Sequence, residues 1–319
     1  MKRVARGLLI FGVILGAIYA FWNPGSSVTD GRHDLGRNGI WLGHGWIGDS
    51  LWFTENARDT TTFRTRAAIL ELKQELDSHG IQDVFPHLTP TTINGKIPAV
   101  DATQTKLFLE LLPNKRVMPW LGGVTGKSAF LGSIAWRKNF VLSVKKLLKQ
   151  YPSFAGIHLD FEPLQNHDIG FLELLTELRV AIGERKLISV ATPMPRIGFG
   201  GWDQSMFFQV SKRVNQIVPM LYDTYIPLQK PYVALMSSWT RKVLVWSNGK
   251  EVLIGIPAWD EPTKSHHPNI ENLENALHGI HAALEPKMPK NYAGIALYAH
   301  FTMNDSRWKT LKQEFTHHP

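Results

Sequence analysis

Short runs of apolar and β-branched residues alternate with longer amphipathic stretches from Asn38 to the end of the chain. The short runs have the length and composition of buried strands, and the longer stretches repeat apolar residues at helical spacing. Eight strand–helix pairs can be counted. The predicted strands are 39–45, 81–87, 115–121, 154–162, 186–192, 215–222, 251–257 and 292–299. The predicted helices are 62–79, 102–112, 133–150, 168–184, 205–213, 231–246, 270–285 and 304–315.

Regular alternation of strands and helices without a break in composition indicates one α/β domain with a parallel sheet. A doubly wound sheet is the alternative, but it does not require eight units. Eight units over about 280 residues match the size of a TIM barrel. We therefore predict a single (βα)8 TIM barrel over residues 38–319, with its functional residues at the carboxyl ends of the strands and in the loops that follow.

The amino terminus has the layout of a signal peptide or a membrane anchor. Lys2, Arg3 and Arg6 precede an uncharged run from Gly7 to Trp22. No small-x-small cleavage site follows, which favours an uncleaved anchor over residues 1–22 with the barrel outside the cytoplasm, either anchored or secreted. Residues 23–37 are polar and contain Gly, Pro and Ser, so they are predicted to be a linker.

Composition narrows the functional classes. The chain has no cysteine, which excludes disulfides, thiolate metal sites and a cysteine nucleophile. Its net charge is +8, but no basic stripe with interleaved aromatic residues is present, so nucleic acid is not an expected partner. The 11 tryptophans suit a surface that stacks on sugar rings as well as a large core. Candidate stacking residues near strand ends are Trp46, Trp120, Trp202, Tyr225 and Trp259.

The fourth predicted strand carries the strongest chemical pattern. Because side chains alternate along a strand, His158, Asp160 and Glu162 lie on one face. Buried neighbouring carboxylates are costly unless they are paired or partly neutralised, and a glutamic acid that keeps its proton near neutral pH is the acid that glycoside hydrolysis needs. The alternative is a strand end whose carboxylates face solvent or pair with Lys or Arg.

Other strand ends carry related residues. The sixth strand places Met220 and Tyr222 on one face, with Asp223 at the start of the loop. The third strand ends in Gly122-Gly123, where a ligand could approach the backbone. The eighth strand leaves Tyr298 or His300 at the barrel mouth.

Together these strand ends resemble glycoside hydrolase family 18, the chitinase and endo-N-acetylglucosaminidase group, through nearly the whole barrel. The fourth-strand motif of the family is D-G-x-D-x-D-x-E, and residues 155–162 keep its last two acidic positions but not its first two. The M-x-Y-D motif is present unchanged at 220–223. The S-x-G-G motif corresponds to 120–123, the G-x-P strand to 255–257, and the eighth-strand tryptophan of the family to Tyr298.

The resemblance implies substrate-assisted retention, in which the 2-acetamido oxygen of the sugar attacks the anomeric carbon. Glu162 is then the acid, Asp160 holds the acetamide N–H, Tyr222 hydrogen-bonds the acetamide oxygen, and Asp223 binds the same sugar. In the family an aspartate at the position of His158 shares a proton with the next aspartate. His158 could orient Asp160 instead, or it could be a satisfied core histidine.

The expected substrate is a β-linked N-acetylhexosamine glycan such as chitin or peptidoglycan. Further residues expected to contact it are His158, Met220, Trp120, Tyr298 and Trp259. No cofactor is expected, and no metal, because His44 stands alone and His266-His267 are adjacent rather than spaced to converge. A glycan-binding barrel without turnover is the alternative function. An inverting or nucleophile-using glycosidase would need another inward carboxylate, for which Asp223 is the evident candidate.

Overall fold

A computed structural model describes residues 2–196, 198 and 200–316 of the chain. Its nine strands are β1 (Asn38–Leu42), β2 (Ile81–Pro86), β3 (Arg116–Val117), β4 (Trp120–Val124), β5 (Gly156–Glu162), β6 (Leu187–Thr192), β7 (Gln216–Pro219), β8 (Glu251–Pro257) and β9 (Tyr292–Tyr298). Each predicted strand is present. The third one is divided into β3 and β4, because Met118 and Pro119 interrupt the ladder.

All strands form one parallel sheet in the order β3-β2-β1-β9-β8-β7-β6-β5-β4. The two ends of this order are halves of the same predicted strand, β3 pairing with β2 and β4 with β5. A parallel bridge between His87 and Trp120 joins the β2 side to β4, so the sheet curls closed. The predicted TIM-barrel fold is confirmed.

The helices are α1 (Lys2–Phe21), α2 (Leu51–Glu55), α3 (Thr61–Arg64), α4 (Arg66–Ser78), α5 (Ala102–Leu111), α6 (Ile134–Gln150), α7 (Ile169–Ile182), α8 (Gln204–Ser211), α9 (Gln229–Trp246), α10 (Leu273–Leu284) and α11 (Asp305–Glu314). The predicted helix 62–79 is divided into α3 and α4. The break falls at Thr65, which has extended backbone and whose side chain accepts the Ala68 N–H, so it caps the start of α4.

Six other barrel helices also begin where the sequence provides a cap, whereas α9 follows Leu228 without one. A side-chain oxygen accepts a backbone N–H of the first turn at Asp101, Ser133, Asp168, Asp203, Asn272 and Asn304. The apolar faces of these helices pack on the outside of the sheet and form the main core. In α6, for example, Trp136, Phe140 and Val144 recur at helical spacing and are buried.

The amino-terminal anchor is not confirmed, since no helix in the described part of the chain is long and apolar enough to cross a membrane. Residues 23–37, which were predicted to be a linker from their composition, contact α10. The Ser26 N–H donates to the His278 carbonyl, Val28 is buried, and His33 Nδ1 lies 2.8 Å from His281 Nδ1.

The barrel interior begins, at the amino ends of the strands, with a layer of charged and polar side chains. We call Arg37, Asp83, Arg116, Gln216 and Glu251 the floor network. The Arg116 guanidinium donates to both oxygens of Asp83, at 2.5 and 2.6 Å, and also to Glu251. Gln216 Nε2 donates to the same two carboxylates at 2.6 Å each. Arg37 pairs with Glu251 from outside.

Above the floor network lies an aromatic layer. Trp41, Phe85 and His158 pack together there, with the His158 ring stacked on Phe85 at a centroid distance of 4.0 Å. Trp120 and Tyr298 continue this packing toward the carboxyl ends of the strands. The interior is therefore filled up to the mouth, and an active site has room only at the carboxyl ends of the strands.

Candidate functional site

The inward face of β5 carries its three ionisable residues upward from the aromatic layer to the mouth. His158 is fully buried, Asp160 is partly accessible, and Glu162 at the end of the strand is exposed. Alternation along the strand thus produces the shared face that the sequence predicted. Asp160 and Glu162 lie at the carboxyl end, where barrel enzymes place their chemistry.

His158 is held by two hydrogen bonds and has no ring nitrogen left for Asp160. Trp41 Nε1 donates to His158 Nε2 at 3.1 Å, so Nε2 must be the acceptor. His158 Nδ1 lies 2.8 Å from Ser189 Oγ, which itself donates to Gln216 Oε1 at 2.6 Å. The ring is therefore neutral with its proton on Nδ1, and burial lowers its pKa to about 3.

This arrangement corrects two expectations for His158. It does not orient Asp160 by a hydrogen bond, and it does not reach the substrate, since it lies below the mouth with 0% of its surface exposed. It is a satisfied core histidine that links the aromatic layer to the floor network through Ser189 and Gln216.

Asp160 receives its hydrogen bond from a tryptophan instead. Trp120 Nε1 donates to Asp160 Oδ2 at 2.9 Å. The other oxygen, Oδ1, is buried and accepts no hydrogen bond from any donor in the described residues. Asp160 and Glu162 lie two residues apart on the same face of β5, so the charge of Glu162 acts on Asp160. Trp120, expected to contact sugar, therefore also fixes the orientation of Asp160.

Both carboxyl groups hold protons more strongly than usual. Burial, followed by the charge of Glu162, raises the pKa of Asp160 well above its ordinary value. Burial also raises the pKa of Glu162, and the charge of Asp223 adds to this. No lysine or arginine in residues 2–196, 198 and 200–316 pairs with any of these three carboxylates. The group can therefore keep a transferable proton at the mouth.

Aromatic side chains form one wall beside the carboxyl pair. Tyr222 packs edge-on against Trp259 at 4.8 Å and stacks on Tyr298 at 5.7 Å. Burial raises the pKa of Tyr222 well above 10, and the nearby charges of Tyr298 and Glu162 add to this, so its hydroxyl stays a hydrogen-bond donor. Met220 lies one step below on the same strand extension, with its backbone bridged to Gly255. These predicted contact residues are thus brought together.

Asp223 follows Tyr222 in a left-handed turn, with φ of +60°, a conformation that aspartate tolerates better than most residues. Its Oδ1 lies 3.7 Å from His266 Nδ1, and His266 Nδ1 lies 3.7 Å from Glu271 Oε2. The proximity of Asp223, His266 and Glu271 was not predicted from the sequence. The usable signal was the pair of ionisable residues, His266 and Glu271, within the same loop after β8.

The comparison with protein families decides what this barrel is. The profile of Glycosyl hydrolases family 18 matches residues 90–316, most of the chain. The chain belongs to this family. It is therefore a glycosidase, as the strand-end motifs predicted, and the matched region contains every residue of the mouth described above. Among curated protein sequences, none matches the chain significantly.

Solved structures similar to this family 18 chain have the same barrel fold at low sequence identity. The spore cortex-lytic enzyme SleL of Bacillus megaterium is 15% identical with a TM-score of 0.55, covering 88% of this chain and 75% of its own. A class V chitinase from Pseudomonas fluorescens is 14% identical with a TM-score of 0.57, covering 87% and 99%. A chitinase from Rhizomucor miehei is 14% identical with a TM-score of 0.56, covering 86% and 99%.

The paired glycines of this family 18 barrel serve packing within the protein. A Cβ atom on Gly122 would lie 1.6 Å from the Asp160 carbonyl oxygen, and one on Gly123 would lie 2.4 Å from Ser128 Oγ. Gly122 thus lets β4 approach β5 closely where Asp160 is held, and Gly123 leaves room for the Ser128 side chain. That a ligand approaches the backbone here stays a prediction.

A cleft of about 370 Å³ extends from the mouth of the family 18 barrel across the loops that follow β1, β2 and β9. Trp120, whose indole donates to Asp160, and Tyr298 are among its lining residues. Its other lining residues are Gly43, His44, Trp46, Trp52, Arg58, Phe63, His87, His300 and Phe301. Of the candidate stacking residues, Trp46 and Trp120 line this cleft, whereas Trp202 is fully buried in the core. Trp52 and Phe301 were not anticipated, because their loops have no regular period.

Proposed function

We propose that this enzyme hydrolyses β-linked N-acetylhexosamine glycans by substrate-assisted retention, with Glu162 as the acid. The observation that carries the proposal is the Asp160–Glu162 pair, two carboxyl groups at the barrel mouth with raised pKa values and no lysine or arginine beside them in the described chain. A general acid must hold its proton at the working pH, and burial raises the pKa of Glu162 in that direction.

The spacing of the pair argues against a protein nucleophile. Retaining glycosidases with two protein carboxylates keep them about 5–5.5 Å apart across the sugar, and inverting ones about 6.5–9.5 Å apart. Asp160 and Glu162 lie two residues apart on the same face of one strand, so they approach the sugar from the same side instead of flanking the scissile bond. We therefore assign the attacking oxygen to the acetamide of the substrate.

The remaining roles follow from which atoms are free. Asp160 Oδ1 has no donor among the described residues, so it can accept the acetamide N–H and stabilise the positive charge of the oxazolinium. Tyr222, which remains protonated, can donate to the acetamide oxygen. Glu162 protonates the leaving glycosidic oxygen and then, as a carboxylate, takes a proton from the water that opens the oxazolinium.

The substrate class is supported by the cleft and by the similar structures. Among the aromatic side chains that line the cleft, Trp52 is partly exposed and Phe301 is exposed, so they offer flat apolar faces that suit sugar rings. The similar structures include two chitinases and a spore cortex-lytic enzyme. Chitin-like polymers and peptidoglycan are the two glycans that we propose for assay.

The test is hydrolysis of a chromogenic N-acetylglucosamine oligomer by the full chain. Glu162→Gln should reduce kcat by about 10²–10⁴-fold with little change in oligomer binding, because only the proton is lost. Glu184→Gln, which alters an exposed glutamate after α7, is the control and should keep the wild-type rate. Binding without release of product by the wild type would favour the glycan-binding alternative, which the fixed and neutral His158 supports.

A second substrate tests the acetamide. A matched chromogenic β-glucoside oligomer lacks the 2-acetamido group, so it cannot supply the attacking oxygen and should be cleaved at least about 10²-fold more slowly. Equal cleavage of both oligomers would contradict substrate assistance and would favour a mechanism with a protein carboxylate such as Asp223.

We also propose that the chain is exported. The support is the order of residues at the amino terminus, where Lys2, Arg3 and Arg6 precede the uncharged run to Trp22. Fractionation of the producing cells should recover the protein outside the cytoplasm, and mass measurement should show whether residues 1–22 remain. Recovery of the intact chain in the cytoplasmic fraction would contradict export.

A further inference from the structure

The cluster of Asp223, His266 and Glu271 lies beside the mouth. The mechanism proposed above uses neither His266 nor Glu271. The cluster joins the loop after β7 to the loop between β8 and α10. One ligating atom from each of the three side chains can be chosen so that all three atoms lie within 4.8 Å of one another. His266 and Glu271 are fully buried, whereas the Asp223 side chain is 44% exposed.

The ring of His266 is fixed in the orientation that metal-binding histidines adopt. His266 Nε2 lies 3.3 Å from the Trp259 carbonyl oxygen, which can only accept, so Nε2 carries a proton. The ring also stacks on the Trp259 indole at 4.3 Å. A histidine whose second nitrogen donates to a backbone carbonyl presents its first nitrogen as the ligand.

That first nitrogen has no partner. His266 Nδ1 is buried and makes no hydrogen bond with any described residue, although two carboxylate oxygens lie 3.7 Å away. A buried polar atom without a partner is costly, and here it points between two acceptors that a bound cation would neutralise.

Glu271 needs a positive charge for the same reason. Its carboxylate accepts the backbone N–H and the hydroxyl of Thr224, at 2.9–3.2 Å, and no lysine or arginine in the described chain reaches it. The buried hydroxyl of Tyr232 likewise has no hydrogen-bond partner among the described residues. A polar pocket of this kind is incomplete without a cation and its water.

We propose that Asp223, His266 and Glu271 bind a divalent metal ion of the zinc class. One imidazole nitrogen with two carboxylate oxygens is a donor set that zinc accepts. Two ligands about 2.1 Å from a zinc ion at a tetrahedral angle are about 3.4 Å apart, close to the 3.7 Å spacings found here. Since Asp223 is the exposed ligand, water completes the coordination on the mouth side.

The proposal is independent of the glycosidase mechanism, because the metal is measured without any glycan. The full chain, stripped with a chelator, is titrated with Zn²⁺ alone by calorimetry, and the retained metal is counted after gel filtration. One equivalent should remain on the wild type. His266→Ala and Glu271→Gln should each weaken binding by at least about 100-fold, because each removes a ligand.

Two controls separate this site from weak binding elsewhere. His267→Ala changes the neighbouring histidine, which is outside the cluster, and a double change of His317→Ala and His318→Ala removes the histidines of the carboxyl terminus. Both should retain one equivalent. Asp223→Asn alters the exposed ligand with the least risk to folding and should weaken binding at least about 10-fold.

Absence of stoichiometric Zn²⁺ binding by the wild type would overturn the proposal, as would an unchanged affinity in Asp223→Asn. NMR of the His266 ring provides an outcome that does not depend on any variant. Zn²⁺ should change the chemical shifts of the ring at neutral pH. Imidazolium shifts that do not change when Zn²⁺ is added would show that a proton, and not a metal, lies between the two carboxylates.

Discussion

The two ends of the barrel interior both contain buried carboxylates, but the protein treats them differently. In the floor network, Asp83 and Glu251 each receive hydrogen bonds from Arg116 and from Gln216. At the mouth, Asp160 receives one hydrogen bond, from Trp120, and Glu162 has no cation beside it in the described chain. The same residue types are thus neutralised at one end and left to hold protons at the other.

The pKa of Glu251 follows this difference, whereas burial keeps the pKa of Asp83 raised despite the hydrogen bonds from Arg116 and Gln216. Burial alone would raise the pKa of Glu251, but the hydrogen bonds and charge of Arg116 lower it below its ordinary value. Burial raises the pKa of Glu162, and no partner reverses the effect. Breaking the ion pairs at the floor would leave buried charge without a partner, whereas the carboxyl groups at the mouth, which no cation compensates, hold a transferable proton.

The largest expected effect is on the floor. Arg116→Met should reduce the free energy of unfolding by about 3–5 kcal/mol, because it leaves the buried Asp83 without its cation and leaves Glu251 with Arg37 alone. Denaturant unfolding followed by circular dichroism measures the change. Arg241→Met, on the exposed face of α9, is the matched control and should change stability by less than about 1 kcal/mol.

If Arg116→Met unfolds no more easily than the control, the floor network does not stabilise the barrel and the contrast between the two ends fails. Retained hydrolysis at low temperature in a destabilised Arg116→Met chain would strengthen the contrast, since the floor would then be shown to act on stability alone.

The opposite result is expected at the mouth. Asp160→Asn should leave the free energy of unfolding within about 1 kcal/mol of the wild type or increase it, because it removes a carboxyl group whose ionisation is disfavoured in the folded state. Hydrolysis should fall by about 10²-fold or more, since an amide does not stabilise the oxazolinium. Asp160→Asn should therefore lower kcat without lowering the free energy of unfolding. Arg116→Met, in contrast, should lower the free energy of unfolding.

The pH dependence of the free energy of unfolding tests whether the pKa of Asp160 is raised. Because the folded pKa of Asp160 is raised, the folded state binds more protons than the unfolded state above about pH 4, and the stability of the wild type falls as pH rises through that window. Asp160→Asn lacks this loss, so its stability relative to the wild type should increase with pH. A difference that shrinks as pH rises would contradict the raised pKa.

Sequence periodicity was sufficient to predict the barrel and the inward face of β5. Strands and helices differ in their repeat, and each of the eight predicted strands lies within a few residues of an observed one. The alternation that places Asp160 and Glu162 together is a local property of one strand. Such properties depend on consecutive residues, which a single sequence contains.

Contacts between strands could not be predicted in the same way. Trp120 is opposite His158 in the β4–β5 register, yet its indole reaches Asp160, two residues further along. The fixation of His158 depends on Trp41 and Ser189, which come from two other strands. The convergence of His266 with Asp223 depends on how two loops fold. Each of these contacts requires register and side-chain direction that no local pattern encodes.

The smallest expected effect concerns the one hydrogen bond that Asp160 does receive. Trp120→Phe keeps an aromatic ring in the cleft but removes the donor to Asp160 Oδ2, which should cost about 1–2 kcal/mol in transition-state binding, or about 10-fold in kcat/KM. Because that hydrogen bond opposes the rise in the pKa of Asp160, its loss should also move the titration of the carboxyl pair to higher pH. Trp239→Phe is the matched control, since its indole N–H has no partner in the described chain. If both variants give the same pH–rate profile, Trp120 acts only as a stacking surface for sugar. The hydrogen bond from Trp120 would then have no effect on the titration of the mouth carboxylates, unlike the hydrogen bonds to Glu251 in the floor network.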